Sequence, residues 1–324
     1  EERYEHFLAD EGDLIIASSG IKVDYFDRKI AFVKKEHLPL CMNTSTIRFK
    51  SLNKEFLDIN YFYYFLKTDF MKRQIGYFIT GSAQLNFGPS HLKKMKVIIP
   101  PLQTQKKIVQ VLKKAEKALE KRKEVNKLLD ELVKSRFIEM FGDPILNSKG
   151  WKVKLLGEVC EMKAGKNIKA SDIYDENSGN LYPCYGGNGL RGYVEQYSHE
   201  GNIPLIGRQG ALCGNVKYAQ GKFYATEHAV VTQPTVEMNS YWLYFLLTQL
   251  DLNRLSTGAA QPGLTVGKLN FVEIPMAPIT MQNQFADLAN QVDKLKFKMQ
   301  KGLEELENLF NSLMQKAFNG QLFN

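Results

Sequence analysis

The chain has 324 residues, 44% of them hydrophobic, and a net charge of +8 from 43 Lys+Arg against 35 Asp+Glu. That length suits two domains, and that apolar fraction suits packed cores rather than a disordered or fibrous chain. The basic excess fits an anionic partner, nucleic acid first, and no apolar run approaches the roughly 18 residues of a membrane span.

In residues 1–101, short β-rich runs alternate with Gly, Asn and Ser. Asp13–Ala17 and Thr46–Phe49 read as strands, and Tyr61–Leu66 as a short aromatic helix. The opening Glu1-Glu2-Arg3-Tyr4-Glu5 is not a signal peptide. After Pro101 no proline occurs until Pro144. Over 102–141 the apolar residues Ile108, Val111, Ala115, Ala118, Val125, Leu129 and Leu132 fall at alternating steps of three and four, with Arg122 interrupting. That is the seam of a long helix, about 37 residues or roughly 55 Å at 1.5 Å per residue. Pro101 and Thr104 suit its start and Gly142 its end. Residues 142–150 form a linker. In 151–279, Ile203–Ile206 and Ala229–Thr232 read as strands and Tyr241–Leu247 as a second aromatic helix. Pro278 and Thr280 then open a second long helix over 280–320, with Gly320 at its end. The fold class expected is therefore α+β, two globular domains each followed by a long helix. Cys41, Cys160, Cys184 and Cys213 form no CxxC pair and no zinc spacing, so free buried thiols in a reducing cytoplasm are expected.

The second half repeats the first. Thr80-Gly81-Ser82-Ala83-Gln84 recurs as Thr257-Gly258-Ala259-Ala260-Gln261, an offset of 257 − 80 = 177 residues. Without a gap, Leu92 then meets Leu269, Pro101 meets Pro278, Gln105 meets Gln282 and Phe141 meets Phe318. The same offset carries the seam onto Phe285, Leu288, Val292, Leu295, Gly302, Leu306 and Leu309, with Met299 in the Arg122 slot and Leu313 continuing. Upstream, Tyr61–Thr68 echoes Tyr241–Thr248 after a three-residue shift. Repeats of this kind decide the fold. Two paired helices are expected to form an antiparallel coiled coil with a pseudo-twofold arrangement; the other reading is that each helix packs on its own domain. An antiparallel rod is a ruler, holding two reading heads apart so that they meet DNA half-sites about one helical turn, 34–36 Å, apart.

Several strings resemble a known family, the specificity subunit of type I restriction–modification enzymes. They are Met95-Lys96-Val97-Ile98-Ile99-Pro100-Pro101-Leu102-Gln103-Thr104-Gln105, then Phe141-Gly142-Asp143-Pro144 leading to Gly150-Trp151-Lys152. The tail Gln315-Lys316-Ala317-Phe318-Asn319-Gly320-Gln321-Leu322 and the Thr-Gly-x-x-Gln turn in both copies complete the set. The resemblance implies a target recognition domain at 1–101, a helical spacer at 102–141, a second target recognition domain at 151–279 and a second spacer at 280–320. It implies a non-catalytic, cytoplasmic subunit that reads a bipartite site in double-stranded DNA. Two methyltransferase subunits, and restriction subunits in the full enzyme, would be its partners. S-adenosylmethionine, ATP and Mg²⁺ would belong to those partners, with no cofactor in this chain and no membrane contact. One departure stands out. The Trp151–Gly157 opening of the second domain has no counterpart in the first, where about 40 residues before Gly12 are expected to be missing.

The residues carry no catalytic signature. GxxxxGK[ST], HExxH and GxSxG are absent, and there is no Asn/Asp-Pro-Pro-aromatic methyltransferase motif. Glu227-His228 reads either as an acid–base pair or as a hydrogen-bonded pair at a strand end. Base readout needs forked side chains on loops that reach the major groove. Asn188 and Arg191 in Tyr185–Tyr193, Arg208 and Gln209 after the strand Ile203–Ile206, and Gln261 in Thr257–Gly263 qualify. In the first copy Ser18, Ser19 and Lys22 follow a strand, and Gln84 matches Gln261. Lys163, Lys166 and Lys169 suit phosphates, which position without specifying. The bland reading is that these glycine-rich loops are only turns, and that the lysines on the first helix (Lys113, Lys114, Lys117, Lys121, Lys123 and Lys127) form a solvated face. A DNA-modifying enzyme with a cryptic site and a coiled-coil adaptor are the competing functions; turnover without partners would favour the former, and salt-dependent duplex binding would count against the latter.

Overall fold

The computed structural model describes residues 6–20, 23–78, 88–177, 179–258 and 262–322. The chain divides into two compact units, one of residues 1–125 with 299–324 and one of 126–298.

In the first unit, β2 (Leu14–Ala17) lies between β3 (Ile30–Phe32) and β5 (Thr46–Phe49), antiparallel to both, and β1 (Leu8–Ala9) pairs with β4 (Leu40–Cys41). Leu14 and Ile16 alternate inward with period two and meet Tyr61, Phe62, Tyr64, Phe65 and Leu66 of α1 (Ile59–Leu66) and Met71 and Ile75 of α2 (Asp69–Phe78). A single turn, α3 (Pro89–Leu92), leads to the long α4 (Leu102–Phe141). Ile108, Val109 and Leu112 of α4 share that core with Ala317, and Phe318 stacks on Tyr61 and Phe65. The start of one long helix thus packs antiparallel on the end of the other.

The second unit is larger. β6 (Lys152–Leu155) and the turn α5 (Leu156–Val159) precede β7 (Cys160–Ala164), β8 (Tyr182–Gly186), β9 (Gly189–Val194) and β10 (His199–Glu200). β11 (Ile203–Gly207), β12 (Val216–Ala219), β13 (Lys222–Ala225) and β14 (Ala229–Pro234) follow. One sheet runs β12-β11-β14-β7, all antiparallel; the other runs β10-β13-β8-β9, with β13 parallel to β8. Beyond them lie α6 (Ser240–Gln249), the turn α7 (Val266–Leu269), β15 (Glu273–Met276), which pairs with β6, and α8 (Ile279–Phe318). Trp242 is fully buried beside Phe141, while Phe137 and Phe141 of α4 stack edge-on against Phe285 of α8. Here too the pairing is antiparallel.

The seam differs from the sequence reading at Ala118, Val125, Leu132, Leu295 and Leu309, which are exposed, while Val111 and Leu288 are half-buried. The predicted Ile108, Ala115 and Leu129 face inward, as does the half-buried Arg122, the interruption in the predicted seam, but Val125 and Leu132 are exposed, whereas Leu112 and Val133 are buried. In α8, Phe285, Val292, Met299 and Leu306 hold, while Leu295 and Leu309 are exposed and Ala289 and Leu303 are buried. Both helices therefore step four then three from each shared position, not three then four, and the displaced set is the same in each copy. At its middle the repeat-equivalent Arg122 and Met299 touch each other, with Gly302 alongside the guanidinium. Gly142 and Gly320 close the two helices in the left-handed conformation.

Gln105 and Gln282 are buried and do the same work in each copy. Gln105 Oε1 accepts from the N–H of Asp58, the N-cap of α1, and its amide donates to Phe56 and Pro100 carbonyls. Gln282 Oε1 accepts from the N–H of Asn239, the N-cap of α6, and its amide donates to Ala277. Matching the caps shifts the aromatic helices by four residues relative to the 177 offset instead of three, so Tyr61 corresponds to Trp242. Of the cysteines, Cys160, Cys184 and Cys213 are buried and free, but Cys41 is exposed.

Candidate nucleic-acid interface

Three loops of the second unit meet where β11 ends. Gly207 closes that strand against the β8–β9 hairpin: a Cβ there would stand 1.9 Å from the Gly187 carbonyl oxygen, so only glycine permits the approach. The chain then turns through Arg208-Gln209-Gly210. The Arg208 N–H donates to His228 O at 3.0 Å, the Leu264 N–H donates to Arg208 O at 2.9 Å, and Gly210 donates to Pro262 O at 3.0 Å. Gln209 bridges Gly263, which itself bridges Thr257. In the hairpin, Gly189 has φ 109°, and Asn188 Oδ1 accepts from Asn215 at 2.7 Å. The result is an open cleft of about 490 Å³ bounded by Gly186–Arg191, Gln209, Gly210 and His228.

Asn188, Arg191 and Gln209 thus share one cleft, exposed, with the half-buried Arg208 beside it. Lys166 lies on the segment after β7; its N–H donates to Ala225 O, and Gly165 before it sits where a Cβ would meet that same oxygen at 2.1 Å. Lys163 is exposed and ion-paired with Glu161. Lys169 is exposed before the turn Ala170–Asp172 and is not among the residues that bound the cleft. In the first unit Ser18 is buried and Ser19 half-buried after β2. Lys22, Gln84 and Gln261 lie outside the described residues.

The strand registers align the two tips. Ala17 pairs with Thr46 as Gly207 pairs with Ala229, and the next N–H, of Ser18 or Arg208, donates to Ser45 O or His228 O. Ser18 and Arg208 occupy one structural position.

Sequence reasoning undervalued Glu227 and His228. They form the strand-end pair, Glu227 Oε1 to His228 Nε2 at 3.2 Å, but His228 also lines the cleft. Glu227 Oε2, His228 Nδ1 and Arg208 Nε are buried without partners among the described residues. Native proteins rarely leave such atoms unpaired, so together they form a polar surface incomplete without a partner. An arginine fork fits guanine O6/N7, glutamine or asparagine fits adenine N6/N7, and a carboxylate accepts from cytosine N4. The signal that could have revealed this pair is its place directly before β14, opposite β11. On β10, His199 is stacked on Phe223; burial first and the Lys166 charge second hold its imidazole below the usual pKa.

The model of the type I restriction modification DNA specificity domain matches residues 1–129 and 148–308. The EcoprrI specificity subunit of Escherichia coli is 42% identical over 176 residues, 54% of this chain and 42% of the relative. The MjaIX specificity subunit of Methanocaldococcus jannaschii is 24% identical over 299 residues, 81% of this chain and 68% of its own. The chain spans about two fifths of the length of the Escherichia coli relative and of a Haemophilus influenzae one, at 42% and 40%. In fold it is similar to the type I restriction–modification S subunit from M. genitalium, with a TM-score of 0.65 at 19% identity over 96% of this chain and 84% of that one.

Proposed function

This chain belongs to the type I restriction modification DNA specificity family, and from that premise we propose that it reads a split sequence in double-stranded DNA and performs no chemistry itself. The observation that carries the reading is the cleft of the second unit, where Asn188, Arg191 and Gln209 converge beside the unpartnered Arg208 Nε, Glu227 Oε2 and His228 Nδ1. Lys166 and Lys169 supply phosphate contacts alongside. The first unit reads the other half-site through Ser19, Lys22 and Gln84, the buried Ser18 being withdrawn from contact, and Gln261 assists in the second.

Two methyltransferase subunits, and restriction subunits in the full enzyme, dock on the helices. Leu128, Leu132 and Leu295 in one unit and Leu309 in the other are apolar and exposed there, which supports this role. S-adenosylmethionine, ATP and Mg²⁺ are held by those partners, and the assembly works in the cytoplasm. Among the described residues no helix is long and apolar enough to cross a membrane. Selection of bound duplexes from a random library, with the methyltransferase subunits present, tests the reading. Two short motifs at one fixed spacing are expected; a single continuous motif, or indifference to spacing, would overturn it.

A further inference from the structure

In the first unit a pair of tyrosines and a carboxylate hold a cation; in the second the same box is built without one. Tyr64 of α1 donates its hydroxyl to Glu116 Oε2 of α4 at 2.7 Å. Lys67, the C-cap of α1, puts its ammonium 3.5 Å from Glu116 Oε1 and 3.9 Å from the centre of the Tyr63 ring. The 177-residue offset carries Glu116 onto Asp293 of α8, and matching the N-caps carries Tyr63 onto Tyr244 and Lys67 onto Thr248. Tyr241, one turn before the Tyr64 place on the same helix face, donates its hydroxyl to Asp293. Acid and tyrosines are therefore kept, whereas the place of the lysine is taken by an exposed threonine.

Beside this second box lies an open pocket of about 420 Å³. Tyr218 of β12 joins Tyr241 and Tyr244 there, its ring centre 4.9 and 5.4 Å from theirs, and Tyr218 and Tyr244 are half-buried. Positive charge is short. Lys296, one turn along α8 from Asp293, is paired with Asp130 instead. Lys217, on the pocket wall, runs along Gly189 and makes no ion pair with Asp293 among the described residues. Burial first, then the charges of Asp293 and Asp130, push the Tyr244 phenol up.

We propose that this pocket binds a cationic side chain of a protein partner, arginine before lysine. Electron-rich ring faces beside a carboxylate attract such a cation. The guanidinium is planar, stacks on tyrosine, forks onto a carboxylate and is less strongly hydrated than an ammonium. The occupant is not the duplex, because Asp293 repels phosphate. It is a side chain rather than a free amine because the counterpart box is filled by one, and because Asp293 is exposed on the long helix, within reach of a surface seated there. Asn188, Gly189 and Leu190 line both this pocket and the reading cleft, so the occupant would touch the reading hairpin itself.

The test titrates acetyl-Gly-Gly-Arg-Gly-Gly-amide into the full 324-residue chain and follows the tyrosine rings by NMR. Saturable shifts at Tyr218 and Tyr244 are expected. The same peptide with citrulline, which keeps the shape without the charge, should bind at least roughly tenfold more weakly, and Asp293→Asn, which keeps an acceptor for Tyr241, should lose about as much. Thr248→Lys, which copies Lys67, should fill the box from within and block the peptide. No saturable shift, or equal binding of the citrulline peptide, would overturn the proposal. So would methylguanidinium binding as tightly as the peptide, since the site would then serve a free cation, or the same ring shifts with duplex DNA. Binding that appears only in Lys217→Met would overturn it as well, because Lys217 would then be the occupant.

Discussion

The strands β2 and β11 sit in the same three-strand frame, each between two antiparallel neighbours, yet they end differently. β2 ends in Ala17-Ser18-Ser19, and Ser18 is buried. β11 ends in Gly207-Arg208-Gln209, on which the β8–β9 hairpin closes directly. The frame is held by backbone pairing that is indifferent to side chains, so it can be common to both units while the tips diverge. A reading site on such a frame gains its particular chemistry from two or three residues after one strand, at small risk to the fold.

The sharpest way to break this comparison is to exchange the residues at the strand ends. Gly207→Ala forces a methyl into the Gly187 carbonyl and should destabilise the second unit by about 3 kcal/mol. Ala17→Gly, at the same structural position, should cost under about 1 kcal/mol. Urea unfolding measures both, and a tolerated Gly207→Ala would mean that the hairpin does not press on the strand end. Next come the buried glutamines. Gln282→Leu leaves the Asn239 N–H and the Ala277 carbonyl unpaired, and Gln105→Leu leaves one N–H and two carbonyls. Losses of roughly 2 kcal/mol are expected in the same unfolding measurement, larger for Gln105. The reverse order would show that the two brackets are not equivalent.

Arg208→Ala sharpens the functional side of the comparison. It should weaken binding to the preferred duplex by roughly tenfold or more while leaving random DNA nearly unchanged, as loss of a base contact does. Ser18→Ala should change little in the same titration, because Ser18 is buried. An equal loss on every sequence would make Arg208 a phosphate contact and remove it from the readers.

Much of the fold was legible because it rests on local rules. The gapless repeat, the prolines opening the long helices and the left-handed glycines closing them are all written within a few residues. The seam was half legible: Ile108, Ala115, Leu129, Phe285 and Val292 were assigned inward, but Val125, Leu132, Leu295 and Leu309 were one residue off. Apolar residues occupy both candidate stripes, and periodicity alone cannot choose between steps of three-four and four-three when both are apolar. The aromatic helices were misaligned by one residue because Tyr and Phe recur along them, whereas the N-caps that fix their register, Asp58 and Asn239, are bonded to glutamines 47 and 43 positions away. The cleft was legible loop by loop but not as a cleft. Asn188, Gln209 and His228 are brought together by strand pairing between distant segments, and a dipeptide such as Glu227-His228 gives no hint that two of its atoms are buried without partners.

The smallest predicted effect concerns Lys166 and His199. Lys166→Ala should weaken binding to all duplexes alike and reduce the slope of log affinity against log salt by about 0.9, one phosphate contact. The same substitution removes the lesser of the two causes that depress the His199 pKa, the greater being burial. In an NMR titration His199 should therefore move up in the variant yet stay below 6.5. The sign for stability follows from which state takes the proton first. The folded imidazole binds it less readily than the unfolded one, so stability is intact above pH 6.5 and falls as the pH drops from there through the folded value. His199→Gln should flatten that acid-side loss in a series of melting temperatures. If the loss persists undiminished, the proton is taken up elsewhere, and Lys166 then stands as a phosphate contact without a titrating neighbour.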